Sequence, residues 1–301
     1  MQAASTHTRL VLAIWARYVG QTRLESRTLM PEFSNLLPMI ALLLVIGAFA
    51  GVMAGLLGVG GGIILVPAYF YAFAHLGYDG PQLMQICLAT SLATIIVTSA
   101  RSVHSHHKKG AVEWDVLRGW WPFIATGAIA GMFTVSRLQS TTLQIIFGCL
   151  ALSAGLYMAF SRPDWRLGQA MPLGAKRIGI GSAVGFFSVL MGIGGGSFGV
   201  PVMSLYNMPI HRAVATAAGF GIIIAVPSVI GFLLVPVTGA PPLTFGAVNL
   251  PAFVVTIAMT LITAPFGVKL AHSLDARPLK RIFAIFITMV ALNMLRKVIF
   301  G

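Results

Sequence analysis

Charged residues are scarce in this sequence, and long apolar runs take their place. Only 9% of the 301 residues are charged and 57% are hydrophobic, whereas charged residues make up about 25% of a typical soluble domain. Several apolar runs exceed the ~20 residues that a helix needs to cross a bilayer. Helices are expected in these runs because a helix satisfies its own backbone hydrogen bonds in lipid. The composition therefore predicts an all-α, polytopic membrane protein.

Acidic residues are especially rare, and none of the seven falls in the middle of an apolar run. They are Glu25, Glu32, Asp79, Glu113, Asp115, Asp164 and Asp275. Transporters of protons or metal cations usually keep a carboxylate at membrane depth, so its absence disfavours cation transport. The acids also form no paired set, and no nucleophile elbow, phosphate-binding loop or H-E-x-x-H motif is present. We therefore predict that the protein is not an enzyme.

Cysteine is nearly absent, and the basic residues are dispersed. Cys87 and Cys149 both lie in apolar runs, which argues against a disulfide framework. The net charge of +13 is spread over loops and chain ends, as in membrane proteins with basic cytoplasmic loops, so nucleic-acid binding is not expected. The basic stretch from Arg101 to Gly110 is expected to be a loop. His104, His106 and His107 lie close together in it, but no cysteine or carboxylate joins them there. We predict neither a metal site nor a cofactor.

Glycine is concentrated in two near-copies of one motif. G-L-L-G-V-G-G-G runs from Gly55 to Gly62, and S-V-L-M-G-I-G-G-G ends at Gly196. A proline follows five residues after the last glycine of each copy, at Pro67 and Pro201. Each glycine costs a helix interior roughly 1 kcal/mol relative to alanine, so both copies should break a helix. Helix breaks at matching places in two halves are the strongest sequence signal of a transporter's substrate site.

The repeat divides the chain into two homologous halves. We predict a first transmembrane repeat over residues 36–160 and a second over residues 178–301, joined by a basic linker over residues 161–177. Residues 1–35 form a basic leader whose apolar part is too short to span a bilayer. The leader is either an interfacial helix or an upstream extension of a protein that starts at Met30. We favour the second interpretation and predict that the leader is dispensable.

Two topologies fit the glycine-broken helices. If each broken element is a discontinuous helix that crosses the membrane, the chain has eight spans and its halves are parallel. If each is a re-entrant hairpin with glycines at its tip, six spans remain and the halves are inverted repeats. The hairpin topology puts more basic residues in the cytoplasm. Outside the leader it leaves only Arg137, Arg296 and Lys297 on the other side, so we favour it.

The candidate substrate site consists of the two glycine clusters and the hydroxyl residues near them. A helix that begins after a break directs free N–H groups and its positive end toward the break, which suits an anion. The predicted set is Gly58, Gly60, Gly61, Gly62, Thr90, Ser91, Gly192, Gly194, Gly195, Gly196, Ser197 and Thr216. The alternatives are structural, since glycines allow close helix packing and threonines can bond carbonyls of their own helix. An alanine at Gly51, in the preceding helix, is expected to be mild by comparison with a valine at Gly61 or Gly195.

The repeated G-x-G-G-G segments, each followed by a proline, resemble the TauE/SafE family of membrane permeases. The resemblance includes A-T-S at Ala89–Ser91 and A-T-A at Ala215–Ala217, and it covers about Pro38 to Val298. It implies a multi-pass secondary transporter of the bacterial inner membrane that exports or takes up sulfite or an organosulfonate. The implied partners are a small anionic substrate, the lipid bilayer and a possible second copy of the chain. The alternatives are a passive anion channel, a transporter of another small carboxylate or oxyanion, and a membrane module without transport activity.

Overall fold

The computed structural model describes residues 36–57, 62–160, 165–273 and 276–300. Within these ranges the chain forms ten helices and one short β-hairpin, which confirms the all-α prediction. The helices are α1 (Leu36–Leu57), α2 (Gly62–His75), α3 (Leu83–Lys108), α4 (Trp114–Arg137), α5 (Ser140–Phe160), α6 (Gly174–Leu190), α7 (Gly196–Leu205), α8 (Ile210–Leu233), α9 (Leu250–Ser273) and α10 (Ala276–Phe300). Strands β1 (Thr244–Phe245) and β2 (Val248–Asn249) pair antiparallel between α8 and α9. The predicted leader and three predicted site residues, Gly58, Gly60 and Gly61, lie outside the described residues.

Four of the described helices are both long and apolar enough to cross a membrane. They are α3, α8, residues Ser140–Tyr157 of α5 and residues Leu250–Gly267 of α9. Helix α4 is equally long but contains Asp115, Arg118 and Arg137. The break expected in the second glycine cluster is present, since α6 ends at Leu190 and α7 begins at Gly196. Residues 58–61, between α1 and α2, lie outside the described residues.

The exterior of this fold is apolar, unlike that of a soluble protein, and its largely hydrophobic core also contains polar groups. Large apolar side chains such as Leu37, Phe133 and Phe300 are exposed, whereas the hydroxyls of Thr90 and Thr216 are completely buried. Helix α3 lies at the centre, and each of its residues from Leu83 to Ile95 is buried. An apolar exterior around a core that contains polar groups is the arrangement expected of a protein surrounded by lipid.

The two halves interlock. Helix α1 packs along α9, and α6 packs along α4. Helix α3 packs on α8, and α5 packs on α10. The two halves are related by matching α1 to α5 in order with α6 to α10. Under this matching the α1–α9 contact corresponds to the α6–α4 contact. The α3–α8 and α5–α10 contacts each correspond to themselves. Each half therefore supports the broken element of the other half.

Helices α3 and α8 run in opposite directions. At the end of the bundle where α3 begins, the backbone N–H of Thr238, just after α8, donates to Gln82 Oε1 over 2.9 Å. At the end where α3 has finished, Glu113 N–H donates to Thr216 Oγ1, near the start of α8, over 3.0 Å. We call the first end the upper face and the second the lower face. The two faces give a common frame for the positions of all the helices.

The two arms of the first broken element run antiparallel. Gly47 and Gly51 of α1 contact Thr256 and Thr260 of α9 in the same order, so α1 descends alongside α9 from the upper face. Helix α2 returns to that face, where Asn293 Nδ2 near the end of α10 donates to the Tyr71 hydroxyl over 2.8 Å.

The second broken element has the opposite direction. Gly181 and Gly185 of α6 contact Ile124 of α4 and its neighbours in parallel order, so α6 rises from the lower face. Helix α7 returns to the lower face and ends at Leu205, whose carbonyl accepts a hydrogen bond from Leu167 N. The two broken elements therefore enter the bundle from opposite faces.

One prediction was wrong, and one helix begins earlier than the predicted repeat. The basic stretch from Arg101, expected as a loop, belongs to α3 as far as Lys108. The stretch contains no proline or glycine before Gly110, which takes a left-handed φ of 65°. Helix α6 begins at Gly174, inside the segment predicted as the linker.

Glycines in α1 and α6 allow unusually close helix packing. A Cβ atom at Gly185 would collide with the carbonyl oxygen of Ile124 and lie 2.8 Å from Ala128 N. A Cβ atom at Gly51 would collide with the Thr263 hydroxyl and lie 2.8 Å from Thr260 Cα. These are small-residue interfaces of the kind that brings membrane helices together. The expectation that an alanine at Gly51 would be mild was therefore wrong.

We expect Gly51→Ala and Gly185→Ala each to lower the free energy of unfolding by about 1–3 kcal/mol, because overpacking forces the backbones apart. The thermal midpoint of the purified protein in detergent would measure the loss. Gly179→Ala is the control, because a Cβ atom there meets no atom within 4 Å. Equal midpoints for all three variants would contradict this packing assignment.

Candidate functional site

The two glycine breaks meet in the middle of the bundle. A Cβ atom at Gly62, the first residue of α2, would lie 3.0 Å from the Gly192 carbonyl oxygen and 3.1 Å from Ile193 Cα. The same atom would lie 3.0 Å from Ile95 Cδ1, in the middle of α3. The sequence predicted that both clusters belong to one site, and their described parts are in direct contact.

The second break has a well-defined local cause. Ile193 N donates to Ser188 O, and Gly192 N donates to Val189 O, each over 2.9 Å. This pair of hydrogen bonds is the Schellman termination of a helix, which places a left-handed residue at Gly192. Gly192 has a φ of 61°, a conformation that glycine adopts without steric cost. One glycine of the motif is thus needed to end α6.

The remaining glycines of this cluster differ in their surroundings. A Cβ atom at Gly195 would collide with Phe220 and lie 2.6 Å from Ala217 O, so Gly195 lets α7 approach α8. At Gly194 the nearest atom to a Cβ would be Ile95 Cγ2 at 3.2 Å, and the next would be 3.5 Å away. Gly196 and Ser197 form the half-buried first turn of α7.

Buried hydroxyls connect the central helices α3 and α8 to the second break and to the starts of α9 and α4. Ser91 Oγ donates to Gly192 O over 2.7 Å. Thr90 Oγ1 accepts from Asn249 N, and Thr216 Oγ1 accepts from Glu113 N, each over 3.0 Å. Asn249 and Glu113 directly precede α9 and α4, so the two threonines perform equivalent roles in the two halves. Each threonine thus joins a central helix of one half to the start of the fourth helix of the other half.

Ser99, Ile95 and Ser188 were missing from the predicted set. Ser91, Ile95 and Ser99 recur every four residues and share one face of α3. A Cβ atom at Gly221 of α8 would collide with Ser99 Oγ, which shows how closely that face approaches α8. Ser188 Oγ, one turn before Gly192, is buried with no hydrogen-bond partner among the described residues. The four-residue spacing on α3 was the available sequence signal for the first two.

The electrostatics at the breaks come from backbone groups. Helices α2 and α7 begin at Gly62 and Gly196, so two positive dipole ends lie there, together with the negative end of α6 at Leu190. Asp79, Glu113 and Asp115 are the acids that the structure describes, and all three lie near the faces. Glu113 forms an ion pair with Arg212 at the lower face. No group of three potential metal ligands occurs within the described ranges.

Three glycines of the second cluster are enclosed by the bundle. Gly192, Gly194 and Gly195 are buried. Two cavities of about 670 and 340 Å³ lie near the upper face, and neither is lined by a described residue of the glycine clusters.

We expect Thr90→Val and Thr216→Val each to destabilise the protein by about 1–3 kcal/mol, because each leaves a buried N–H without its acceptor. Thr98→Val is the matched control, since Thr98 Oγ1 bonds the carbonyl of Thr94 in its own helix over 3.1 Å. Chemical or thermal unfolding of the three variants would measure the difference. A loss at Thr98 as large as at the other two positions would contradict the proposed role.

Comparison with known proteins shows a match between most of this chain and one protein family. The model of the family described as sulfite exporter TauE/SafE matches residues 43–294. A probable membrane transporter protein of Haemophilus influenzae is 32% identical over 266 residues, which cover 86% of this chain and 98% of the relative. A probable membrane transporter protein of Methanocaldococcus jannaschii is 26% identical over 271 residues, covering 88% of this chain and 97% of the relative.

A further relative matches over a shorter region. The probable membrane transporter protein YunE of Bacillus subtilis is 29% identical over 197 residues, which cover 58% of this chain and 71% of the relative. No solved structure matches the chain. The extent of the family match and the identity to the Haemophilus protein show that this chain belongs to the sulfite exporter TauE/SafE family of membrane transporters.

Proposed function

We propose that the protein is a secondary transporter that moves a small sulfur-containing oxyanion, such as sulfite or an organosulfonate, across the bacterial inner membrane. The observation that carries the proposal is the contact of Gly62, where α2 begins, with Gly192 and Ile193, in the loop that leads into α7 at Gly196, with no described carboxylate beside it. Amide N–H groups and helix dipoles bind anions without a buried lysine. The family description, which names sulfite, supports the substrate class.

The proposed topology has six spans and two re-entrant hairpins, formed by α1 with α2 and by α6 with α7. The opposite directions of α3 and α8, and of the two broken elements, support inverted repeats. The lower face is assigned to the cytoplasm because most described basic residues lie near it. They are Arg101, Lys108, Lys109, Arg118, Arg166, Lys176, Arg177 and Arg212. Near the upper face the described basic residues are Arg137, Arg296 and Lys297.

In this proposal the two threonine contacts open in turn, which gives alternating access to the glycine breaks. The lower contact joins Thr216 to Glu113 and is reinforced by the ion pair with Arg212. The upper contact joins Thr90 to Asn249. The two contacts occupy corresponding positions in the two halves and lie toward opposite faces of the bundle. Opening one while the other stays closed would expose the glycine breaks to a single side.

A passive anion channel is the main alternative, and transport of another small oxyanion is the second. Counterflow of labelled sulfite into proteoliposomes separates the first alternative from a transporter, because a channel exchanges no substrate against a gradient. Competition by sulfoacetate, taurine, thiosulfate and sulfate would define the substrate class.

Gly194→Ala is expected to reduce sulfite counterflow about tenfold, equivalent to ~1.4 kcal/mol of lost binding free energy. The added methyl group would enter the gap beside Ile95 and Ser99 with only a small adjustment of packing. The thermal midpoint should stay close to that of the parent protein. Gly179→Ala, on the open side of α6, is the matched control for flux. Normal flux through Gly194→Ala would remove Gly194 from the proposed site.

Single cysteines test the topology in a Cys149→Ser background, since Cys149 is exposed. A cysteine at Phe245, exposed in β1, should react with an impermeant maleimide added to intact cells. A cysteine at Ser105, exposed near the end of α3, should react only after the cells are opened. Labelling of both positions from the same side would refute the six-span topology.

A further inference from the structure

Arg177, in the first turn of α6 at the lower face, holds its guanidinium group against α4. Its Cζ lies 5.5 Å from the centroid of the Phe123 ring, within the range of a cation–π contact. A Cβ atom at Gly119, one turn before Phe123, would lie 3.1 Å from Arg177 Nη1, and no other neighbouring atom among the described residues comes within 4 Å. The lack of a side chain at Gly119 therefore leaves the space in which the guanidinium lies.

The described part of the chain does not compensate the charge of this guanidinium. Arg177 is half-buried, and its Nε is a buried atom without a hydrogen-bond partner among the described residues. The ion pair found among these residues joins Arg212 to Glu113. Asp115 lies one turn before Gly119 on the same side of α4, but it forms no ion pair with Arg177. A partly buried cation with an unsatisfied N–H is costly unless an anion compensates it, so an anionic partner is indicated here.

The guanidinium lies at the boundary between the polar and the apolar part of α4. Asp115 and Arg118 are exposed in the first turns of this helix, and Trp121 is 54% exposed just after them. From there the helix contains no charged residue until Arg137 at its other end. Exposed tryptophans are typical of the membrane–water interface. Arg177, opposite Gly119 and Phe123, is therefore at the depth of the lipid headgroups.

The surface around Arg177 is basic and also contains apolar groups. Arg118 and Lys176 are exposed next to the contact in their own helices, so the position combines three cations with one acid, Asp115. Ile178, which follows Arg177, is 48% exposed. A topology signal accounts for the exposed cations, but it does not require a guanidinium that is packed between two helices. Basic groups at headgroup depth attract anionic lipids.

We propose that Arg177, Gly119 and Phe123 form a lipid site, in which the guanidinium binds the phosphate of an anionic phospholipid at the lower face. The two Nη groups, which unlike Nε are not buried, donate a pair of hydrogen bonds to the phosphate. The Phe123 ring keeps the guanidinium in place. The bound lipid fastens α6, the first arm of the second broken element, to α4. This inference goes beyond the proposed function, because the lipid site requires neither sulfite nor transport.

Lipid titration of the purified protein in detergent tests the lipid site, with phosphatidylglycerol as the probe and zwitterionic phosphatidylcholine as the reference. Native mass spectrometry gives the Kd of the first bound lipid. The parent protein should bind phosphatidylglycerol severalfold more tightly than phosphatidylcholine. Arg177→Gln should weaken phosphatidylglycerol binding about tenfold, because a pair of charge-assisted hydrogen bonds is lost. Lys176→Gln, which removes the same charge from the exposed neighbouring position, is the matched control and should weaken it at most about twofold.

Two further variants separate phosphate binding from a purely structural role of the arginine. Arg177→Lys keeps the charge but lacks the planar, paired donors, so it should bind phosphatidylglycerol more weakly than the parent protein does. Gly119→Ala keeps the arginine but places a methyl group 3.1 Å from Nη1. It should weaken phosphatidylglycerol binding severalfold. Its thermal midpoint without lipid should stay near that of the parent protein, because the neighbouring atom belongs to the end of a flexible side chain.

The thermal midpoint also reports binding, because a ligand that binds the folded state stabilises it. Phosphatidylglycerol should raise the midpoint of the parent protein, and Arg177→Gln should lose most of this shift. Millimolar inorganic phosphate should cause no shift. A shift with inorganic phosphate that equals the lipid's and depends on Arg177 would overturn the lipid assignment in favour of a soluble anion. The lipid site is refuted if Arg177→Gln and Lys176→Gln bind phosphatidylglycerol equally well, or if the parent protein does not prefer it to phosphatidylcholine.

Discussion

The contact between the two glycine breaks in the middle of the bundle is the constraint on which the rest of the structure depends. Gly62 approaches the backbone of Gly192 and Ile193 at distances that leave little room for a side chain. Ser91 then fixes the Gly192 carbonyl to the central helix. A helix break inside a membrane protein leaves polar backbone groups that must face protein or a polar cavity. The described parts of the two breaks lie against each other between α3 and α8, so their polar backbone groups face protein.

The same constraint explains why the halves interlock. A broken helix cannot support itself across a bilayer, so each is held by the fourth helix of the other half, α1 by α9 and α6 by α4. Gly51 lets α1 pack closely against α9, and Gly185 lets α6 pack closely against α4. The hydroxyls of Thr90 and Thr216 then anchor the starts of the supporting helices to the central pair. Movement of a supporting helix is in this way coupled mechanically to the site.

Much of this arrangement was predictable, because hydrophobic run length and helix-breaking glycines are local signals. The membrane class, the helix positions and the two breaks followed from them. The partners of Thr90 and Thr216 were not predictable, because both hydrogen bonds reach residues more than 100 positions away in the sequence. The tight surroundings of Gly51 were missed for the same reason, since they depend on the approach of α9. The extension of α3 to Lys108 was missed because basic residues were taken as a loop signal, although no helix breaker accompanied them.

In the proposed transporter, backbone amides at the two breaks bind the anion. Hydrogen–deuterium exchange of the purified protein, with and without saturating sulfite, measures those amides directly. Sulfite should slow exchange in the segments that contain Gly62 and Gly194–Phe198, in both halves together. Sulfite binding that leaves exchange unchanged in both glycine segments would contradict the account.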